Sequence, residues 1–110
     1  MPAVPASVRN NGLIANLPRG CAVEVPVLVD RNGPRPTAVG ELPPACAAVN
    51  RSNIIVQELA AKAGLTGDRE LVHAAVAMDP YTGAVLTLPQ IRQMVDRMFE
   101  AQSRWLPPFD

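Results

Sequence analysis

Few side chains in this 110-residue chain have the chemistry to act on a substrate. Glu24 and Asp30 fall on one alternating stretch, and Glu58 and Asp79 lie farther along. A carboxyl pair that cleaves an acetal must sit ~5–9.5 Å apart. Glu24 and Asp30, on one straight strand, would be separated by ~20 Å. Each would therefore need a partner from a helix or a second subunit, such as Glu58 or Asp79. The commoner fate of such residues is the solvated face of a strand. His73, the single histidine, has the chemistry of a general base. Flanked by Val72 and Ala74, it also reads as a partly buried structural residue.

Asn10 and Asn11 could exchange hydrogen bonds with sugar hydroxyls. The same pair precedes Gly12, where asparagine amides commonly bond their own backbone in a bend. Arg51, with Asn50 and Asn53, forms a polar patch near the start of a helix. It suits an anion or a sugar, or it holds a neighbouring proline-rich loop. Trp105 could stack on a sugar face, although its helical spacing favours core or interface packing. Cys21 and Cys46 are too few for a disulfide framework or a zinc site. They read as two small buried thiols in a reducing compartment, with one bridge between them as the alternative. No metal site is expected.

These residues must be positioned by a β-rich front and a helical back. Val8 to Pro18 reads as a strand ending at Pro18-Arg19-Gly20. From Cys21 to Asp30 the residues alternate, with Cys21, Val23, Val25, Val27 and Val29 on the core face. Pro26 lacks an amide hydrogen and favours an edge strand or a bulge. Arg31-Asn32-Gly33-Pro34 is a turn, followed by an extended loop with a short strand at Thr37-Ala38-Val39. A helix from Ala45 to Ala63 ends at Gly64. A second, capped by Thr66, runs from Gly67 to Met78 and stops at Asp79-Pro80. Thr87-Leu88-Pro89-Gln90 is a capping-box pattern opening a third, with Leu88, Ile91, Val95, Met98, Gln102 and Trp105 at helical spacing. The fold class is α+β: a small antiparallel hairpin or sheet on the N-terminal side packed against three α-helices, in a single domain spanning 1–110.

Composition narrows the function classes. Ten basic and ten acidic residues give no net charge. No cationic stripe with interleaved aromatics appears, which argues against nucleic acid. No apolar run approaches the ~20 residues that span a bilayer, and the first residues lack a secretory signal pattern. A cytoplasmic protein is expected. The apolar fraction is 48%, but only four residues are aromatic. A core of small side chains benefits from a homo-oligomeric interface.

Asn10-Asn11-Gly12-Leu13-Ile14-Ala15-Asn16-Leu17-Pro18, Val23-Glu24-Val25-Pro26 and Val29-Asp30-Arg31-Asn32-Gly33 resemble the C-terminal region of glycoside hydrolase family 4. So do Gly40-Glu41-Leu42-Pro43-Pro44, Asn50-Arg51-Ser52-Asn53-Ile54, Gln57-Glu58-Leu59, Leu65 to Glu70 and Met78-Asp79-Pro80. The resemblance covers nearly the whole chain and leans toward the α-galactosidase branch. It implies kinship with α-galactosidases, α-glucosidases and 6-phospho-glycosidases that use NAD and a divalent metal such as Mn²⁺. Those enzymes are several-fold longer and carry NAD on an N-terminal Rossmann domain. Their metal-binding cysteine and histidine lie upstream of the region represented here. Cys21, Cys46 and His73 do not match those ligands, and no G-x-G-x-x-G spacing is present. No cofactor is therefore expected to be retained. Two functions follow from the resemblance. One is a small stand-alone relative that binds glycosides and hydrolyses them weakly without NAD or metal. Its candidate acid–base residues are Glu24, Asp30, Glu58, Asp79 and His73, and its candidate sugar contacts are Asn10, Asn11 and Arg51. The other is a non-catalytic folding or oligomerisation fragment.

Overall fold

The structure, a computed structural model, describes residues 3–110. The chain forms two compact units, one running to Arg51 and the other from Ser52 to Asp110, and the division falls within a long helix.

The first unit is built on three antiparallel strands in the order β1-β2-β3: β1 Ala3–Arg9, β2 Ala22–Asp30 and β3 Gly33–Pro36. Alternation along β2 places Val23, Val25 and Val27 in the core, while Ala22, Glu24 and Pro26 face solvent. The expected valine face fades at its ends, since Val29 is exposed and Cys21 only half-buried. Pro26 lies in the central strand rather than at an edge. It pairs with Pro5 on β1, and its carbonyl accepts from the Thr37 amide at 3.0 Å and hydroxyl at 2.7 Å. In an antiparallel ladder a residue's N–H and C=O point to the same side. The amide hydrogen that Pro26 lacks would therefore face Thr37, just where β3 has ended.

The expected strand over Val8–Pro18 is replaced by β1, which stops at Arg9, and a loop. Asn10 N–H donates to the Cys21 carbonyl at 2.8 Å and Gly20 N–H to the Asn10 carbonyl at 2.8 Å, closing that loop at its base. Thr37-Ala38-Val39 is likewise not a strand of the sheet. Val39 N–H reaches the Leu13 carbonyl at 2.7 Å, and Ile14 bridges Gly40, so this segment pairs with the loop. The β2–β3 turn forms as expected, with Asp30 Oδ1 accepting from Asn32 N–H at 2.7 Å and Gly33 at φ 103°. Both cysteines are free, and Cys46 is exposed. Neither the bridge nor the pair of buried thiols is formed.

Helix α1 spans Pro44–Thr66, followed by α2 Arg69–Met78, α3 Pro80–Val85 and α4 Leu88–Gln102. The class is α+β, with four helices rather than three. Helix α1 passes through Gly64 and ends at Gly67, whose φ is +73° and whose N–H donates to the Ala63 carbonyl. That left-handed conformation is the one glycine adopts without strain. Asp68, not Thr66, caps α2 by accepting from the Glu70 and Leu71 amides at 2.9 and 3.4 Å. Asp79-Pro80 ends α2 as expected but also starts α3, because Asp79 caps Thr82. At α4 the capping box is present, with the Thr87 amide donating to Gln90 Oε1 at 2.8 Å. The second unit buries Ala75 of α2 and Ile91 and Val95 of α4. Trp105 lies past the end of α4 and is 76% exposed, so it is not a core residue. Arg104 covers its ring at 5.1 Å.

Candidate functional site

Asn10 is the most completely engaged polar side chain of the first unit. It is wholly buried, and its Nδ2 donates to the carbonyls of Ile14, Leu17 and Pro18 at 3.1, 3.2 and 3.1 Å. Its Oδ1 accepts from the Ile14 amide at 3.1 Å. The amide that sequence offers to a sugar thus organises the loop from within. Asn11 is the exposed member of the pair. Asn16, unremarked in the sequence, exchanges two hydrogen bonds with the Leu42 backbone at 2.8 and 2.9 Å. The exposed Arg51 donates through Nε and Nη2 to the Asn16 carbonyl at 3.2 and 3.0 Å. This matches the loop-holding alternative for Arg51. The two loops are thereby fixed to each other without any regular strand.

The carboxylates do not converge within either unit. Glu24 is exposed opposite Ser7. Asp30 belongs to its turn and lies 3.4 Å from Arg35. Glu58 is exposed on α1. Asp79 accepts from the Thr82 amide at 2.8 Å and hydroxyl at 2.7 Å. The Thr82 hydroxyl first, and then its amide, hold the Asp79 carboxyl below its ordinary value of 3.8. The carboxylate thus serves as the N-terminal cap of α3.

The second unit instead assembles a polar cluster between α2 and α4. His73 is buried, with Nε2 3.2 Å from Asp96 Oδ1. Arg69 donates to the same oxygen at 2.9 Å and lies over the Phe99 ring at 4.5 Å. Arg92 donates through Nη1 and Nη2 to the two carboxylate oxygens of Glu70. Among the described residues, His73 Nδ1 is the one buried side-chain N or O atom without a hydrogen-bond partner. His73, Glu70 and Arg92 line a groove of 500 Å³ with Ala74, Ala77 and Ile91. Sequence reasoning missed Arg69, Glu70, Arg92 and Asp96. Their signal was present: Arg69 and His73, like Arg92 and Asp96, are four apart and share a helix face.

Arg69 first, with His73 as a lesser contributor, holds Asp96 below its ordinary 3.8, and Arg92 holds Glu70 below 4.5. With Asp79 these are three carboxyls whose folded pKa is depressed. Their contribution is fully present above the unfolded pKa and is lost as pH falls through the folded value. The melting temperature is therefore expected to be flat from neutrality to about pH 5 and to drop below about pH 4. Asp96→Asn should remove part of that drop. Calorimetric scans from pH 7 to pH 2.5 measure this, and an unchanged Tm across the range would refute it.

Among the described residues, no group of three or more His, Cys, Asp or Glu side chains could hold a metal. Cys21 Sγ donates to the Pro18 carbonyl at 3.0 Å, and His73 is committed to Asp96. Dinucleotide sites use parallel strands joined through a helix, whereas the strands here are antiparallel neighbours. Among the described residues, no helix is long and apolar enough to cross a membrane.

Comparison with known proteins agrees with this architecture. A family profile described as the C-terminal domain of family 4 glycosyl hydrolases matches residues 3–82, running through both units. An α-galactosidase of Rhizobium meliloti (strain 1021) is 45% identical over 94% of the chain and 21% of its own length. An α-galactosidase of Bacillus subtilis (strain 168) is 42% identical over 94% of the chain and 24% of its own. The chain thus spans less than a quarter of the length of these curated relatives. A solved 6-phospho-α-glucosidase from gut microorganisms, in complex with NAD and Mn²⁺, superposes with a TM-score of 0.88 at 22% identity. That match covers 99% of this chain and 24% of the other. Because that profile covers well over half of the chain, the chain belongs to the family of C-terminal domains of family 4 glycosyl hydrolases.

Proposed function

We propose that this chain serves a glycoside-processing enzyme as a non-catalytic part of its architecture and supplies no acid–base pair of its own. The observation that carries this reading is the dispersal of the four candidate carboxylates, while Glu70 and Asp96 are each tied to an arginine. Asp30 and Asp79 are tied into a turn and a helix cap, and Glu24 and Glu58 stand exposed on separate elements. Hydrolysis by paired carboxyls needs convergence to ~5–9.5 Å. Glycosides as the substrate class rest on the relatives' activities, as α-galactosidases. A cytoplasmic setting is part of the same proposal, supported by two free thiols.

The test is an assay of the 110-residue chain on chromogenic α-galactosides and α-glucosides, with and without NAD, Mn²⁺ and a chelator. No turnover above buffer is expected under any condition. Turnover that disappears on replacing Glu24, Asp30, Glu58 and Asp79 together would overturn the proposal. If that turnover persists without NAD and in the presence of the chelator, the hydrolysis is independent of NAD and metal.

A further inference from the structure

Among the described residues, the sheet of the first unit carries four prolines: Pro5 on β1, Pro26 on β2, and Pro34 and Pro36 on β3. A proline harms a ladder only where its missing N–H would have met a partner, so the side to which each one turns is decisive. In an antiparallel ladder the N–H and C=O of one residue share a side, and the side alternates along the strand. Asn10 N–H donates to the Cys21 carbonyl, in continuation of the β1–β2 register. Even-numbered residues of β1 and odd-numbered residues of β2 therefore turn their backbone groups toward each other. The Pro26 carbonyl accepts from Thr37 N–H, so even-numbered residues of β2 turn theirs toward β3.

This parity spares the ladder at every strand pair. Pro5 lies opposite Pro26, yet its backbone faces the open edge of β1, while that of Pro26 faces Thr37 past the end of β3. Leu28 with Arg35 and Asp30 with Gly33 are the bonded partners of β2 and β3, which leaves Pro34 and Pro36 facing outward. These are the two outward positions of a four-residue strand, so the outer edge of β3 has no N–H to offer. The outer edge of β1 offers the N–H groups of Ala3, Ser7 and Arg9, with Pro5 between them. There the pyrrolidine ring stands where the hydrogen would be and obstructs a strand approaching to the ladder spacing of about 4.8 Å. All three outward prolines are exposed.

An open strand edge is a template for pairing with another chain, and proline at the edge is one means of preventing it. We propose that Pro5, Pro34 and Pro36 close both edges of this sheet to strand addition by a second copy of the chain. Copies that associate through the first unit must then meet by its faces or loops.

The test begins with amide exchange of the whole parent chain, followed by NMR. Ser7 and Arg9 should exchange fast, and Ala6 and Val8 should be protected, at every protein concentration. Association through any other surface leaves that pattern intact. Protection of Ser7 and Arg9 that grows with concentration would show edge pairing with Pro5 in place and overturn the proposal.

Substitution supplies the second measurement. Pro5→Val restores a donor and removes the ring, so a two-fold β1–β1 pair gains one N–H···O bond from each strand. Its association constant by sedimentation equilibrium should rise about tenfold or more over the parent. Pro34→Thr combined with Pro36→Thr should do the same through β3. Pro26→Val, whose restored N–H faces Thr37, should associate like the parent. Edge variants that both associate like the parent, or a Pro26→Val variant that rises with them, would overturn the proposal. Circular dichroism and a cooperative urea transition identify the variants that fold, and the exchange pattern of the parent decides the matter if none does.

Discussion

Asn10→Ala is expected to lower unfolding stability by about 3–5 kcal/mol, because buried polar groups that lose their partners cost about 1–3 kcal/mol each. The substitution strips the Ile14 amide and the Ile14, Leu17 and Pro18 carbonyls of a shared partner in an environment with no solvent exposure at Asn10. Asn10→Asp should also be severe, since it turns an amide donor into an oxygen facing three carbonyls. Urea unfolding followed by circular dichroism measures both. A loss below about 1 kcal/mol for Asn10→Ala would mean that these bonds do not hold the loop. A sugar-binding role predicts the opposite pattern, with normal stability and altered glycoside affinity.

Ile91→Ala should cost about 2–5 kcal/mol, the range for emptying a well-packed aliphatic site. Ile91 is 2% exposed, and Val95, one turn along α4, is equally enclosed. The helical unit buries few large side chains, so it has little capacity to close a cavity beside His73 and Ala74. Leu88→Ala, three residues earlier on the same helix but 69% exposed, should stay within about 0.5 kcal/mol. Denaturant midpoints for the two variants give the comparison. Equal losses would show that burial along α4 does not follow this face.

The two variants address different kinds of order. Ile91 belongs to a periodic pattern, and its burial follows from the 3.6-residue repeat that carries Leu88, Ile91 and Val95 along α4. Even there the pattern overreached at both ends, because Leu88 is 69% and Met98 49% exposed, and the helix stops at Gln102 and leaves the Trp105 ring outside. Asn10 belongs to no period. Its partners lie four to eight residues away along an irregular loop, and only the closed loop brings them to one amide.

The sequence by itself determined the class of elements. Alternating valines define β2, Arg31-Asn32-Gly33-Pro34 marks the turn after it, and Asp79-Pro80 and Thr87–Gln90 punctuate the helices. Its motifs also identified the family. These are local signals, set by side-chain periodicity and by the dihedral demands of glycine and proline. Tertiary structure alone decided the uses of the polar residues. Glu24 and Glu58 remain in solvent, Asp79 becomes a cap, and Asn10 becomes the interior of a loop. His73 meets Asp96 and Arg69 across two helices. The physical reason is that a hydrogen bond or ion pair depends on distances of about 3 Å between groups far apart in the chain. Nothing in a residue's type or spacing fixes such a distance until the backbone closes around it.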